Sequence, residues 1–214
     1  MEDKRSRTAR STLIVVVDIL NSIPKPDTRG ESPGGRTEDK LNRHLLTKYD
    51  FDCRDGVVVM QRTWTFQQHS VIVAPASAVW RWVVTPRGIN DEMAPWLTMS
   101  IPRGAEGITI DNLEIGRPIG RAWLRLFGLI PCEYDNLSIV YVEQGRRFRE
   151  HSTMATMSQW IHDRTVEPGP GQSTRVTDVI TFSPRRGLRL IGPVLRHVLI
   201  AFFRHRHRRL AARF

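Results

Sequence analysis

Residues 71–83 read VIVAPASAVWRWV, a β-branched run that passes through Ala-Pro into a short helical segment with two tryptophans. β-Branched and aromatic residues dominate the longer stretch Thr63 to Val73, which predicts a strand. Pro75 suits the first position of the helix that follows. That helix should end before Thr85-Pro86, and a second brief helix is predicted over Ile89 to Met93.

Downstream, runs of β-branched and aromatic residues predict a series of strands separated by Gly- and Pro-containing turns such as PGPGQ. The predicted strands are two weak ones at 98–101 and 107–113 and five clear ones at 121–129, 136–143, 147–155, 158–167 and 174–182. From Gly192-Pro193 to Phe214 the chain has no further Gly or Pro, which predicts one long helix. Its apolar stripe should comprise Leu195, Leu199, Phe202 and Leu210.

This order of elements predicts an α+β fold. One strand, two short helices, a run of antiparallel strands and a long terminal helix follow one another along the chain. A curved antiparallel sheet must cover its apolar concave face, and one long amphipathic helix laid across it does so. We therefore predict a curved antiparallel sheet wrapped around the C-terminal helix.

Six stretches of the sequence carry a resemblance to a known family. They are VIVAPASAVWRWV at 71–83, GLIPCEYD at 128–135, FREHSTM at 148–154, WIHDR at 160–164, TRVTD at 174–178 and FRHRHRRL at 203–210. Together they resemble the START/SRPBCC superfamily of helix-grip proteins, which includes polyketide cyclases and lipid-transfer domains. The resemblance covers roughly residues 63–214. It implies the helix-grip fold and an internal cavity that commonly holds a lipid, sterol or polyketide.

The function implied by this resemblance is the binding of a hydrophobic small molecule between sheet and helix. The alternative is an enzyme of polyketide cyclase or dehydratase type that uses the same cavity. None of the six stretches is a catalytic signature, so the resemblance supports the fold more strongly than an activity.

Polar residues recur on one face of three consecutive predicted strands. Alternation with a period of two places Phe148, Glu150, Ser152 and Met154 on one face of the first of these strands. The corresponding faces of the next two strands hold Trp160, His162, Arg164 and Val166, and then Val176, Asp178, Ile180 and Phe182. We expect this line of side chains to be buried on the concave face.

The predicted turns indicate how these polar residues pair. A turn near 156–158 would set Ser152 opposite His162 and Glu150 opposite Arg164, and the turn at PGPGQ would bring Asp178 beside His162. The line is then either a satisfied polar network or the contact for the polar end of a ligand, because buried charges must be paired. Ser152, His162 and Asp178 have the residue types of a hydrolytic triad, but the chain has no nucleophile elbow.

The sequence thus gives a set of site candidates. In an enzyme, His162 and Asp178 are the candidate catalytic residues because they could move protons. The predicted ligand-binding residues are Glu150, Ser152, Met154, Trp160, His162, Arg164, Asp178, Leu195, Leu199 and Phe202.

The net charge of +10 comes mainly from the end of the chain, where residues 185–214 hold nine arginines and no acidic residue. A solvated polar helix face explains them, and so would peripheral contact with an anionic membrane through Arg204, Arg206, Arg208 and Arg209, or docking on a ribosome. Aromatic residues do not interleave with the arginines as a single-strand platform requires, which disfavours a nucleic-acid partner.

The N-terminal part has a different composition. The stretch 25–40 lacks large apolar residues, so residues 1–59 are predicted to be an extension, largely disordered or a linker, before a domain over residues 60–214. Met60 is an alternative start. The apolar run Thr12 to Leu20 is too short for a membrane span, which favours a cytoplasmic location. We predict no cofactor and no metal, because the sequence has no nucleotide-binding glycine motif and its two cysteines lack metal-ligand spacing.

Overall fold

The computed structural model describes residues 49–54 and 57–214, with side chains from residue 62 onward. Most of the predicted N-terminal extension, including the run Thr12 to Leu20, lies outside the described residues. Two antiparallel strands, β1 (Tyr49–Arg54) and β2 (Val57–Arg62), pair across the predicted boundary at Met60. The division into extension and domain stays a prediction.

A curved antiparallel sheet of seven strands forms the rest of the β-structure. Its strands lie in the spatial order β3-β9-β8-β7-β6-β5-β4, so the first of them in sequence pairs with the last. They are β3 (Trp64–Ile72), β4 (Leu97–Met99), β5 (Pro118–Leu126), β6 (Ile130–Glu143), β7 (Arg147–Met154), β8 (Met157–Pro168) and β9 (Thr174–Pro184). The predicted fold class is confirmed.

Two short helices follow β3, as the sequence predicts. They are α1 (Ala76–Val83), which starts after Pro75, and α2 (Pro86–Met93). α2 begins three residues earlier than expected because Thr85 caps it, accepting a hydrogen bond from the Gly88 N–H at 3.0 Å. Gly88 also allows a close approach to α1, since a Cβ there would lie 2.0 Å from the Trp82 carbonyl oxygen.

The segment between β4 and β5 corrects one prediction. The strand expected over 107–113 is absent from this segment, which forms turns instead. The Asn112 side chain explains the difference, because its Oδ1 accepts from the Thr109 N–H at 2.6 Å and its Nδ2 donates to the Gly107 carbonyl at 3.0 Å. These local bonds replace the partners that a strand would supply.

The alternation predicted for β7, β8 and β9 is confirmed. On β7, Glu150, Ser152 and Met154 are buried while their neighbours Arg149 and His151 are exposed. The inward faces of the next two strands consist of buried Trp160, His162, Arg164 and Val166, and of buried Val176, Asp178, Ile180 and Phe182.

The long helix α3 (Gly192–Arg213) packs against β3 and α2. A 3-10 helix (Arg186–Ile191) leads into it. The predicted stripe is partly wrong, because Leu195 and Leu210 are buried but Leu199 and Phe202 are only half-buried. The buried face of α3 instead consists of Leu195, Val198, Phe203, Arg206, His207 and Leu210. No helix in the described part of the chain is long and apolar enough to span a membrane.

Candidate ligand site on the concave face

Arg164 on β8 is the centre of a buried ion cluster. Its guanidinium binds Glu92 of α2 through two bonds, Nη1 to Oε1 at 2.7 Å and Nη2 to Oε2 at 2.9 Å. It also donates to Asp178 of β9 from Nε at 2.6 Å and from Nη2 at 2.7 Å. Arg206 of α3 adds a second cation, with Nη2 at 2.8 Å from Glu92 Oε2. The cluster therefore connects α2 and α3 to the sheet through ion pairs.

Asp178 also accepts hydrogen bonds from two histidines. His162 Nε2 lies 3.0 Å from Oδ1, and His207 Nε2 of α3 lies 3.0 Å from Oδ2. The other ring nitrogen of His207 lies 2.7 Å from the Ser70 hydroxyl on β3. Four donor contacts saturate the Asp178 carboxylate, so it holds charges in place and has little capacity left for a substrate.

The ionisation states within this cluster follow from burial and charge together. Burial alone raises the pKa of Asp178, but the guanidinium of Arg164 and the imidazole of His162 bring it well below its usual range. Glu92 behaves similarly, with a pKa raised by burial but lowered overall by Arg164 and Arg206. Burial lowers the pKa of His162, and Asp178 only partly offsets this. At neutral pH both carboxylates are therefore ionised and His162 is neutral.

The pairing of β7 with β8 corrects the predicted contacts. Glu150 lies opposite His162 and Ser152 opposite Trp160, two residues away from the predicted register. The connection consists only of Ala155 and Thr156, which is shorter than the expected turn. The predicted contact of Asp178 with His162 is present as a diagonal one, since Asp178 lies directly opposite Arg164.

A pair of carboxyl groups lies further along the same face, at Asp135 of β6 and Glu150 of β7. Asp135 lies opposite buried Met154 and is itself only 3% exposed, and Glu150 is 7% exposed. The two carboxyl groups and the Ser152 hydroxyl lie close enough together for each carboxyl to shift the pKa of the other. No donor among the described residues reaches Asp135 Oδ1 or Glu150 Oε1. This carboxyl pair is thus rich in acceptor atoms and poor in donors.

The carboxyl pair holds a proton far more readily than isolated carboxyls do. Burial raises the pKa of Asp135 to about 6, against the opposing effect of its hydrogen bonds to Glu150 and Ser152. Burial, followed by the charge of Asp135, raises the pKa of Glu150 well above its usual range. Two negative charges in this buried region repel each other, and a proton on one of the carboxyls removes that repulsion. The His162 ring is close by, with Nδ1 at 3.8 Å from Glu150 Oε2.

Apolar side chains surround these polar groups. Phe203 of α3 packs between Trp160 and His162, with ring centroids at 6.3 Å and 5.5 Å respectively. Buried Met154 lies beside the carboxyl pair, and Leu195 is buried on α3. Half-buried Leu199 and Phe202 belong to the same helix. Of the predicted ligand-binding residues, His162, Arg164 and Asp178 belong to the buried ion cluster, Glu150 and Ser152 lie at the carboxyl pair, and the others are apolar.

Sequence reasoning missed several of these residues. Asp135 could have been found, because extending the predicted strand at 136–143 backwards by one residue places it in the alternating pattern. Glu92, Arg206 and His207 carry no such signal, since they contact Arg164 and Asp178 only after the helices pack on the sheet.

The basic end of α3 is less exposed than predicted. Arg206 is 7% exposed and bound to Glu92, so it is not available for contact with a membrane as predicted. Arg206 lies on the same buried face of α3 as its neighbour His207, which hydrogen-bonds to Asp178. Arg209 bonds to Asp91 at 2.9 Å, while Arg204 and Arg208 are exposed. Peripheral membrane contact stays a prediction that now rests on fewer arginines.

Comparison with known proteins places the chain in a family. The model described as "Domain of unknown function (DUF8410)" matches residues 70–214. The chain belongs to this family. The DUF8410 match begins in β3 and continues through α3, so it contains the buried ion cluster and the carboxyl pair. No curated protein matches the chain.

Solved structures are similar to this DUF8410 protein in fold at low sequence identity. Protein CV1439 from Chromobacterium violaceum is 16% identical with a TM-score of 0.54, covering 69% of this chain and 95% of its own. A START superfamily protein from Mycobacterium smegmatis is 13% identical with a TM-score of 0.53, covering 70% and 95%. The Zhui aromatase/cyclase from Streptomyces sp. R1128 is 11% identical with a TM-score of 0.54, covering 71% and 93%. The predicted START/SRPBCC resemblance is confirmed for the fold.

Proposed function

We propose that this protein binds a hydrophobic small molecule between the concave face of its sheet and α3. The observation that carries the proposal is the carboxyl pair of Asp135 and Glu150, buried among apolar side chains with acceptor oxygens that no described donor reaches. Such buried acceptors need an explanation, because leaving them without partners costs about 1 to 3 kcal/mol each. A mostly apolar ligand with one polar end would provide the missing contact.

The fold supports the same proposal. The similar structures include a START superfamily protein and an aromatase/cyclase, both built on this arrangement of sheet and helix. The buried ion cluster supports it as well, because it attaches α2 and α3 to the sheet by charges. Because these ion pairs hold the helices in place, the side chains near the carboxyl pair are not needed for that role and are available to contact a ligand.

Filling the concave face should abolish ligand binding. We expect Met154→Trp to weaken binding of the fluorescent apolar probe N-phenyl-1-naphthylamine at least about tenfold, because the larger ring would occupy space beside the carboxyl pair. The control is Thr153→Trp on the adjacent, exposed position of β7, which should leave binding unchanged. Circular dichroism checks that both variants fold. Failure of the wild-type protein to bind the probe or any co-purifying apolar molecule would contradict the proposal.

An acid–base enzyme is the second candidate function. The specific observation in its favour is that the proton-holding carboxyl pair lies beside the neutral imidazole of His162, 3.8 Å from Glu150. A proton carrier next to an acceptor nitrogen has the components of general acid–base catalysis of the cyclase or dehydratase type. In this reading Glu150 and His162 exchange the proton, and Asp178 fixes the ring.

The enzyme candidate predicts a separation between binding and turnover. With a reactive poly-β-ketone as substrate, Glu150→Gln should lower kcat by about 100-fold or more while probe affinity changes little. His162→Ala should also lower kcat. Turnover that is absent, or that is indifferent to both substitutions, would leave ligand binding as the function.

A further inference from the structure

We propose that the carboxyl pair makes this site select ligands with a hydroxyl at their polar end and reject ligands that end in a carboxylate. The inference rests on the proposed function, since it concerns the ligand of the same site. It names the chemical class of that ligand as an apolar alcohol or phenol.

The hydrogen-bonding inventory supports a donor group on the ligand. Asp135 Oδ1 and Glu150 Oε1 are acceptor atoms that no donor among the described residues reaches. The Ser152 hydroxyl lies beside the pair, and its oxygen accepts from the Ser138 N–H at 3.3 Å. A ligand hydroxyl can donate a hydrogen bond to a carboxylate oxygen and accept one from a protonated carboxyl, whereas a ligand carboxylate can only accept.

The guanidinium groups that a carboxylate ligand would need are already bound elsewhere. Arg164 donates to Glu92 and Asp178, and Arg206 donates to Glu92. A ligand carboxylate placed beside Asp135 and Glu150 would therefore meet like charges without a free guanidinium. The repulsion between like charges that lie close together is strong where water is excluded.

A cationic end is also disfavoured compared with a hydroxyl. The positive charge of Arg206 acts on Glu150 and already offsets part of the negative charge of the pair. A proton held by one of the two carboxyls reduces that charge further. An uncharged hydroxyl gains the hydrogen bonds of the site without bringing a second cation into a buried region.

Three ligands of equal chain length test this selectivity. Displacement of N-phenyl-1-naphthylamine by 1-decanol, decanoate and decylamine at pH 7.5 measures the affinity of each. We expect 1-decanol to bind at least about tenfold more tightly than decanoate or decylamine. In Asp135→Asn and in Glu150→Gln the preference over decanoate should fall to within about threefold, because each removes an acceptor charge. The control Glu143→Gln, at a half-buried position on the same strand as Asp135 whose side chain is 41% exposed, should keep the full preference.

Each outcome has a separate meaning. If decanoate or decylamine binds as tightly as 1-decanol, the selectivity is wrong while ligand binding stands. If both pair variants fold and keep the full preference, the carboxyl pair is not its source and the inference fails. If neither the probe nor any of the three ligands binds the wild-type protein, the proposed function itself is wrong. Two variants are used so that one remains informative if the other does not fold.

Discussion

Replacing Arg164 with methionine is expected to lower the free energy of unfolding by about 3 to 5 kcal/mol. The substitution leaves Glu92 and Asp178 ionised, with side chains that are completely buried, and removes the guanidinium that binds both. Methionine retains an apolar stem of similar length, so the loss reports mainly on charge and not on volume. Urea denaturation at pH 7, followed by tryptophan fluorescence, measures the change.

Two further variants show whether the loss comes from uncompensated charge. Arg146→Met removes a solvent-exposed arginine that bridges to Glu143, and should change stability little. The double variant Arg164→Met and Asp178→Asn removes the stranded carboxylate and leaves Glu92 paired with Arg206, so it should recover a large part of the loss. If Arg164→Met alone were as stable as the wild-type protein, the buried ion cluster would not hold α2 and α3 on the sheet.

The fold could be predicted largely from local patterns in the sequence. The alternation over β7, β8 and β9 depends only on which residues face the core, so the inward line through Glu150, His162 and Asp178 was predicted correctly. The register was not, because the two-residue connection at Ala155-Thr156 moves every pairing of β7 with β8 by two positions. Moving the centre of a turn by one residue along the chain shifts every antiparallel pair by two positions.

The candidate site could be predicted only in part because several of its contacts join residues that are far apart in the sequence. Arg164 binds Glu92, which is 72 residues away, and Glu92 binds Arg206, which is 114 residues away. The periodicity of α3 predicted an apolar stripe that includes Leu199 and Phe202. The buried face instead includes Arg206 and His207, which bond to Glu92 and Asp178. Propensity and pattern describe single elements, whereas these contacts depend on how elements pack.

At neutral pH the carboxyl pair should make the wild-type protein less stable than a variant in which one of the two carboxyls is replaced by an amide. We expect Asp135→Asn to raise the free energy of unfolding at pH 8 by about 1 to 3 kcal/mol, because one pKa unit corresponds to about 1.4 kcal/mol. Asparagine retains the size of the side chain and a donor toward Glu150, and it removes a carboxyl whose pKa is raised by burial to about 6. A stabilising substitution at a buried polar position is typical of a residue kept for function.

The sign of this effect depends on pH. The pKa of Asp135 is about 6 in the folded protein and 3.8 in the unfolded chain, so the folded state binds more protons between these values. The stability that comes from the protonated form is fully present below pH 3.8 and is lost as the pH rises through about 6. The stabilisation by Asp135→Asn should therefore be small at pH 4 and reach its full size above pH 7. Urea denaturation of both proteins across this range measures the difference.

Asp163 provides a control of opposite sign on the other face of the sheet. It accepts hydrogen bonds from Arg147 at 2.6 and 2.8 Å, and although burial raises its pKa, Arg147 and Arg149 bring the value below the usual range. Asp163→Asn should therefore lower stability at pH 8 and matter less as the pH falls through the depressed pKa of this residue. If Asp135→Asn also lowered stability at pH 8, the carboxyl pair would be a stabilising contact. Its unpaired acceptors would then need no ligand to explain them.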